Sequence, residues 1–350
     1  MSEAEIPAES TLQGGALSAL ESFLGEHVDG GLAGPLRASL LSGGRSNLTY
    51  TLTDGKHDWV MRRPPLGHVL ETAHDMGREY RVMKALDATA VPVPAMVAIC
   101  DDPAVIGSSF YVMARVDGDT YRDAADFERL TPAEREALGL SFVDALAALA
   151  QVDYEAVGLG DFGRPEGYAG RQVRRWVKQL ESSTSREVPG IKELAEKLAE
   201  RVPEAQRASV VHGDFRLDNA LVERGSAKIL AVIDWEMSTL GDPLTDLGML
   251  YLFWEGWQGL DNPIAATPVD FEGFPSWAQM RDRYVAATSL DLADFDWYAA
   301  FAFFKLAVIC EGIHYRYVKG MTVGEGFERM GNLVQPLVER GLDTVNRWTR

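Results

Sequence analysis

The chain has only two cysteines in 350 residues, Cys100 and Cys310, and neither belongs to a CxxC pair. That scarcity excludes a disulfide framework and a cysteine-based zinc site, and it suits a reducing compartment, so a cytoplasmic location is expected. Basic residues are also few. The 34 Lys and Arg stand against 52 Asp and Glu, for a formal net charge of −18. So acidic a chain is a poor match for a phosphate backbone, and nucleic acid is not an expected partner. No long hydrophobic run is present. The longest, residues 297–310, is broken by Lys305 and too short to cross a bilayer, so no membrane association is expected. Residues 1–20 lack a basic start followed by an apolar run, so no secretory signal is expected there. Repeats and low-complexity tracts are missing too. What is left is an ordinary globular composition, 46% hydrophobic and 25% charged, long enough for one large domain or two lobes.

Residues 1–35 read as an N-terminal extension with a short amphipathic helix at 16–27. Strand-like runs follow at 36–41, 48–53 and 58–62, punctuated by Gly43-Gly44 and Asp54-Gly55. A helical pattern covers 72–87. Val91-Pro92-Val93-Pro94 must be extended, and strands are expected at 96–100 and 109–115. Beyond Gly118 the pattern turns helical. Thr131-Pro132-Ala133-Glu134 is a capping box with proline at the first helical position, opening a helix to about residue 150. Further helices fit 168–181, 191–201, 243–255, 276–287, 295–318 and 324–340, with strands only around 210–236. These patterns predict an α+β fold of two lobes with a cleft between them. The β-rich N-lobe covers 36–112, a hinge 113–117, and a mainly helical C-lobe 118–350.

The chemistry concentrates in one stretch. His212-Gly213-Asp214-Phe215-Arg216-Leu217-Asp218-Asn219 is followed, after an apolar run at 229–233, by Asp234-Trp235-Glu236. Phosphoryl transfer needs a carboxylate to orient the attacking hydroxyl. It also needs an amide and a second carboxylate to hold the metal on the nucleotide phosphates. Asp214 is the candidate base, and Asn219 and Asp234 are the candidate Mg²⁺ ligands, because Mg²⁺ prefers hard oxygen donors. His212 is expected to be a structural imidazole, and Asp218 a solvated carboxylate or a turn acceptor. Such a site also needs a cation on the phosphates, paired with a glutamate on the next helix. Strand alternation puts Val60 and Arg62 on one face and Met61 and Arg63 on the other, leaving open which arginine serves. Glu79 shares a helical stripe with Met76, Met83 and Leu86, so burial would oblige it to pair. Asp161-Phe162-Gly163 precedes the catalytic loop, no strand leads into it, and it is expected to be a plain loop.

From about residue 38 onward these motifs resemble the aminoglycoside phosphotransferase family, distant relatives of the protein kinases. The nearest branch is that of the kinase domains fused to acyl-CoA dehydrogenases. The resemblance implies a two-lobed kinase-like fold that transfers the γ-phosphoryl of ATP, with Mg²⁺, to a hydroxyl on a small molecule. It places Gly43, Gly44, Arg45 and Ser46 over the nucleotide and Met113 beside the adenine. It favours Arg62, where the family's usual residue is lysine. It also gives Asp246 the part of a buried brace under the catalytic loop, the alternative being an ordinary first-turn helix carboxylate. Among acceptors, the dehydrogenase-linked branch points to a hydroxyacyl-CoA. Its phosphates would suit the basic face of Arg171, Arg174, Arg175 and Lys178, which otherwise is simply solvated. A polycationic aminoglycoside would instead call for carboxylates such as Glu236, Asp242 and Glu311. The missing lysine also admits a nucleotide-binding pseudokinase that acts as a partner protein.

Overall fold

Alternating apolar residues build a sheet in the first part of the computed structural model, which describes residue 12 and residues 15–41, 47–64, 75–184, 186–260, 262–322 and 326–348. The turn with Gly43, Gly44, Arg45 and Ser46 lies outside the described residues. The chain divides into two compact units, Met1–Asp117 with Ala231–Glu236, and Gly118–Leu230 with Met237–Arg350.

The first unit runs α1 (Gly15–His27), β1 (Arg37–Leu40), β2 (Leu48–Thr53), β3 (Asp58–Arg63), α2 (Met76–Leu86), β4 (Met96–Cys100), α3 (Pro103–Ile106) and β5 (Phe110–Ala114). The strands form one antiparallel sheet in the order β1-β2-β3-β5-β4. Along β3, Trp59, Met61 and Arg63 are buried while Asp58 is exposed and Val60 and Arg62 are half-buried, the two-residue period of a strand. Trp59 and Met61 join Leu20 and Leu24 of α1, Ile106 and Phe110 in one core. Arg63 points to that side and donates to the Ile106 carbonyl at 3.0 Å. Arg62 faces the other way, opposite Tyr111 of β5 in the register.

One boundary differs from the sequence pattern. The Asp75 side chain caps α2 by accepting the Arg78 N–H, so the helix begins at Met76; residues 72–74 lie outside the described residues. β5 lies within the strand expected over 109–115, and Met113 is paired in the sheet with Val60 and Met96.

The second unit contains α4 (Ala124–Glu128), α5 (Pro132–Ala150), α6 (Tyr168–Ser182), α7 (Ile191–Glu200), β6 (Ser209–Val211) and β7 (Ala220–Val222). Next come β8 (Ile229–Val232), β9 (Thr239–Gly241), α8 (Leu244–Tyr251), α9 (Trp277–Thr288), α10 (Phe295–Val318) and α11 (Met330–Trp348). The chain passes into the first unit within β8, where the Val232 N–H reaches the Pro92 carbonyl at 2.8 Å, and so delivers Asp234 there.

The capping box of α5 forms as predicted, with the Glu134 N–H on Thr131 Oγ1 at 3.3 Å and the Thr131 N–H on Glu134 Oε2 at 2.8 Å. By length and composition alone α10 could cross a membrane, yet 83% of its apolar window is buried within the protein. It is a core helix, and α8 packs closely against it. A Cβ on Gly248 would come within 2.5 Å of the Tyr298 carbonyl oxygen, so only glycine permits that approach. Asp161-Phe162-Gly163 is a turn, with Phe162 buried.

The sequence pattern misplaces three features here. β9 pairs antiparallel with β6, Val211 opposite Thr239, although three residues are too few to show alternation. The helix expected over 243–255 is α8 followed by a π-helical turn, Leu252–Gly256. The last helix starts later than residue 324 and runs past residue 340, because the buried stripe of Leu333, Leu337, Gly341 and Val345 continues.

The β2–β3 turn depends on Asp54, whose buried carboxylate accepts the N–H groups of Ala33, Lys56 and His57 at 2.9, 2.8 and 2.7 Å. Burial works to raise this carboxyl, but those donors and the His57 ring outweigh it and hold it well below the usual range. A depressed carboxyl stabilises the fold above its unfolded-state pKa of about 4 and loses that contribution as pH falls through the folded value. Asp54→Asn should therefore melt below the wild type at neutral pH. The gap should narrow steadily as the buffer is taken from about pH 5 to about pH 2. A gap independent of pH would show that the charge of Asp54 contributes nothing.

Candidate active site

In the first unit the organising group is Glu79, 1% exposed on α2. A carboxylate so buried must be paired and hydrogen-bonded. Its Oε2 accepts from Arg62 Nη1 and from the Tyr111 hydroxyl, both at 2.8 Å, and Oε1 lies 3.4 Å from the Asn47 amide nitrogen. The β3–β5 register explains the convergence, because Arg62 and Tyr111 are cross-strand neighbours. The second fork of Arg62 reaches Asp234 Oδ1 at 3.3 Å. Burial pushes the Glu79 carboxyl up, and the Arg62 charge and Tyr111 hydroxyl pull it back. Burial also disfavours the Arg62 charge, yet Tyr111, Glu79 and Asp234 more than restore it.

Asp234 itself has φ +67°, a left-handed backbone that aspartate tolerates better than most residues, and its side chain is 34% exposed. The neighbouring Trp235 is buried and fixed by its indole N–H on the Val232 carbonyl at 2.9 Å.

In the second unit β6 leads straight into the catalytic loop. Asp246, buried on α8, accepts the His212 N–H at 2.6 Å and the Gly213 N–H at 2.9 Å. Of its two possible parts, the structure has the brace. Burial pushes the Asp246 carboxyl up, against His212, both N–H groups and Lys305. His212 Nδ1 accepts the Asp214 N–H at 3.2 Å, so the imidazole holds backbone. Gly213 has φ +85°, and a Cβ there would lie 2.9 Å from the Met237 carbonyl oxygen, so no other residue fits. The Lys305 ammonium, from α10, donates to the Gly213 carbonyl.

A single 3₁₀ turn, Leu217–Asn219, then folds Asn219 back. Its amide nitrogen donates to the Asp214 carbonyl at 2.9 Å and to Asp214 Oδ2 at 3.1 Å. With the nitrogen committed, the amide oxygen is the free end, and a hard oxygen of this kind suits Mg²⁺. Asp234, in the first unit, carries a carboxylate, which is also a hard oxygen donor of the kind Mg²⁺ prefers.

The sequence left Arg216 and Lys305 unassigned. Arg216 lies with Nε 3.2 Å from Asp214 Oδ1 and Nη2 3.0 Å from Asp218, and its guanidinium stands 5.0 Å from the Phe253 ring centroid. Its sequence signal was its place between two aspartates. Asp218 is therefore not solvated: its side chain is 14% exposed, and burial pushes the carboxyl up against the pull of Arg216.

Three substrate candidates need correction. The Arg171 guanidinium donates to the carbonyls of Arg164 and Glu166, so it ties down the loop before α6 and is not offered outward. Asp242 is buried, accepting the Leu244 N–H at 3.0 Å and the Tyr298 hydroxyl at 2.6 Å, and serves to start α8. Glu311 is buried as well, held by Arg186 at 2.8 Å and Thr184 at 3.3 Å. Arg174, Arg175, Lys178 and Glu236 are exposed.

The sequence model of the phosphotransferase enzyme family matches residues 37–301. The chain belongs to this family. Acyl-CoA dehydrogenase family member 11 of Homo sapiens is 34% identical over 338 residues, 94% of this chain and 43% of that protein. The chain thus spans less than half the length of the curated relatives it matches. A crystal structure of a candidate aminoglycoside phosphotransferase from Ralstonia eutropha is 37% identical, with a TM-score of 0.82 over 94% of this chain and 98% of that one. Aminoglycoside phosphotransferase APH(4)-Ia, in ternary complex with AMP-PNP and hygromycin B, shares the fold at 18% identity and TM-score 0.60, over 94% of this chain and 98% of that one. This member of the phosphotransferase enzyme family is therefore an α+β protein of kinase-like fold.

Removing the Arg62 charge should expose the cost of burying Glu79. Arg62→Met should lose about 3–5 kcal/mol of unfolding free energy in urea titrations. A loss below about 1 kcal/mol would mean that the pair contributes little to holding this phosphotransferase together.

Proposed function

We propose that the chain transfers the γ-phosphoryl group of ATP to a hydroxyl of an anionic small molecule, with a hydroxyacyl-CoA as the favoured acceptor. The observation that supports it most is the Asn219 amide nitrogen locked onto Asp214 at 2.9 and 3.1 Å, which turns its oxygen free beside a carboxylate base. In this reading Asn219 and Asp234 hold Mg²⁺, and Arg62 steadies the α- and β-phosphates. The family resemblance would give Gly43, Gly44, Arg45 and Ser46 to the phosphates and Met113 to the adenine. Mg²⁺, when bound, neutralises charge on the β- and γ-phosphate oxygens. Asp214 takes the proton of the acceptor hydroxyl as its oxygen forms the new bond to γ-phosphorus; the bond to the β-phosphate oxygen breaks and ADP leaves.

Electrostatics support an anionic acceptor. A polycationic aminoglycoside needs open carboxylates, and two of the three candidates, Asp242 and Glu311, are buried and already bonded. The exposed Arg174 and Arg175 instead favour phosphates on the acceptor. A pseudokinase is disfavoured because Arg62 keeps the ion pair to Glu79 that a lysine would make. The two free, buried cysteines suit a cytoplasmic enzyme.

Asp214→Asn should lower kcat by about 10²–10⁴ while nucleotide affinity stays near that of the wild type. Transfer from labelled ATP to a panel of hydroxyacyl-CoAs and aminoglycosides measures both the loss and the acceptor. Full activity in Asp214→Asn would remove the base from the mechanism, and labelling of aminoglycosides alone would remove the anionic acceptor.

A further inference from the structure

We propose that Lys305 is a positioning residue for phosphoryl transfer, holding the Gly213–Asp214 peptide group in the one orientation that presents Asp214. The proposal rests on the reading of Asp214 as the base. Lys305 lies in the middle of α10 with 6% of its surface exposed, flanked along the helix by Phe301, Ala302, Phe304 and Leu306, all buried. Burying an ammonium is costly unless it is paired. Among the described residues no carboxylate lies within ion-pair distance of its nitrogen. The ammonium donates to the Gly213 carbonyl and stands 5.7 Å from the Trp176 ring. A hydrocarbon side chain would fit this helix with less penalty, so the charge has another use.

That use follows from the geometry of a single peptide. The Gly213 carbonyl and the Asp214 N–H belong to the same planar group. Lys305 holds the carbonyl end, and His212 Nδ1 holds the N–H end at 3.2 Å. The N–H groups of His212 and Gly213, two peptides and one peptide earlier, are fixed by Asp246. Gly213, at φ +85°, is the point in this loop where rotation of the following peptide meets least steric resistance. Such a rotation would swing the Asp214 side chain away from the acceptor. Lys305 opposes it from a helix 92 positions away, without touching substrate.

The charge on Lys305 is itself balanced. Burial draws the ammonium below the ordinary lysine range; Asp214 and Asp246 push it back up, and Arg175 and Arg216 oppose them. Lys305 should therefore begin to lose its proton at a lower alkaline pH than an exposed lysine, and the positioning with it. Arginine in its place would stay charged.

The test uses this chain with Mg²⁺-ATP and a hydroxyacyl-CoA and compares Lys305→Met, Lys305→Arg and Asp214→Asn. Lys305→Met should melt at or above the wild-type temperature, keep the wild-type KM for ATP, and lose kcat by about ten- to a hundredfold, the scale of a misplaced catalytic group. The Asp214 amide should exchange hydrogen faster in that variant. Lys305→Arg should regain most of kcat and move the alkaline fall in rate to higher pH. Wild-type kcat in Lys305→Met beside an inactive Asp214→Asn would overturn this proposal alone. So would a loss in Lys305→Met fully accounted for by a lower melting temperature, with unchanged exchange at Asp214. An active Asp214→Asn would overturn the reading beneath it.

Discussion

A carboxylate with almost no exposed surface, Asp246, lies under the loop that carries Asp214 and takes two of that loop's N–H groups. In a low-dielectric interior such a group is tolerated only while its hydrogen bonds are made. Each of those bonds, once lost, leaves a penalty of about 1–3 kcal/mol or more for a charged acceptor. The constraint therefore runs both ways. The loop satisfies Asp246, and Asp246 dictates where the loop can be. Gly213, with its left-handed backbone against Met237, is the only residue type that fits the path this leaves. Asn219 then closes the turn onto Asp214 from the other side. Asp214, the proposed base, is thus held in place by groups of the protein's own interior.

The same logic governs the first unit, where the buried acid is Glu79. Burial obliges it to find a cation, and the β3–β5 register supplies both Arg62 and Tyr111 on one face. The overall charge of −18 takes on a different meaning in this light. Asp54, Glu79, Asp242, Asp246 and Glu311 are all buried, and each is bound by backbone N–H groups, a hydroxyl or an arginine. Part of the acidity is thus internal scaffolding and cannot attract a cationic ligand.

Local signals carried much of this into the sequence. Alternation in β2 and β3, the Thr131–Glu134 capping box and the unbroken apolar pattern of α10 depend on neighbours in the chain, and they are visible there. The order of Asp214, Asn219 and Asp234 is visible for the same reason. What escaped depends on tertiary contact. No local pattern distinguishes Asp242 from Asp246, four residues apart and both buried at the start of α8; the resemblance alone offered Asp246 the brace, and it is the positions of Tyr298 and the Gly213 N–H that separate their tasks. Lys305 shows in the sequence only as a flaw in an apolar run, because its partner is the carbonyl of Gly213. β9 and the π-helical turn after α8 are too short to impose a period. The choice between Arg62 and Arg63 was open because alternation assigns faces, while what covers each face comes from α1, α2 and α3.

Arginine at position 62 is more than a tolerated replacement for lysine. An ammonium is a point charge with rotatable donors, whereas a guanidinium presents a rigid fork. Here one arm takes Glu79 at 2.8 Å and the other reaches Asp234 at 3.3 Å. The short bond is buried and fixes the arginine to α2. The long one meets a carboxylate that is partly exposed and held in a left-handed backbone, so it is the weaker of the two and the easier to exchange for a cation. A lysine could keep the first contact and leave Asp234 without a cation. The fork therefore lets one side chain keep its structural pair while restraining the aspartate proposed to take the metal. Arginine at this position thus performs a task that a single ammonium could not.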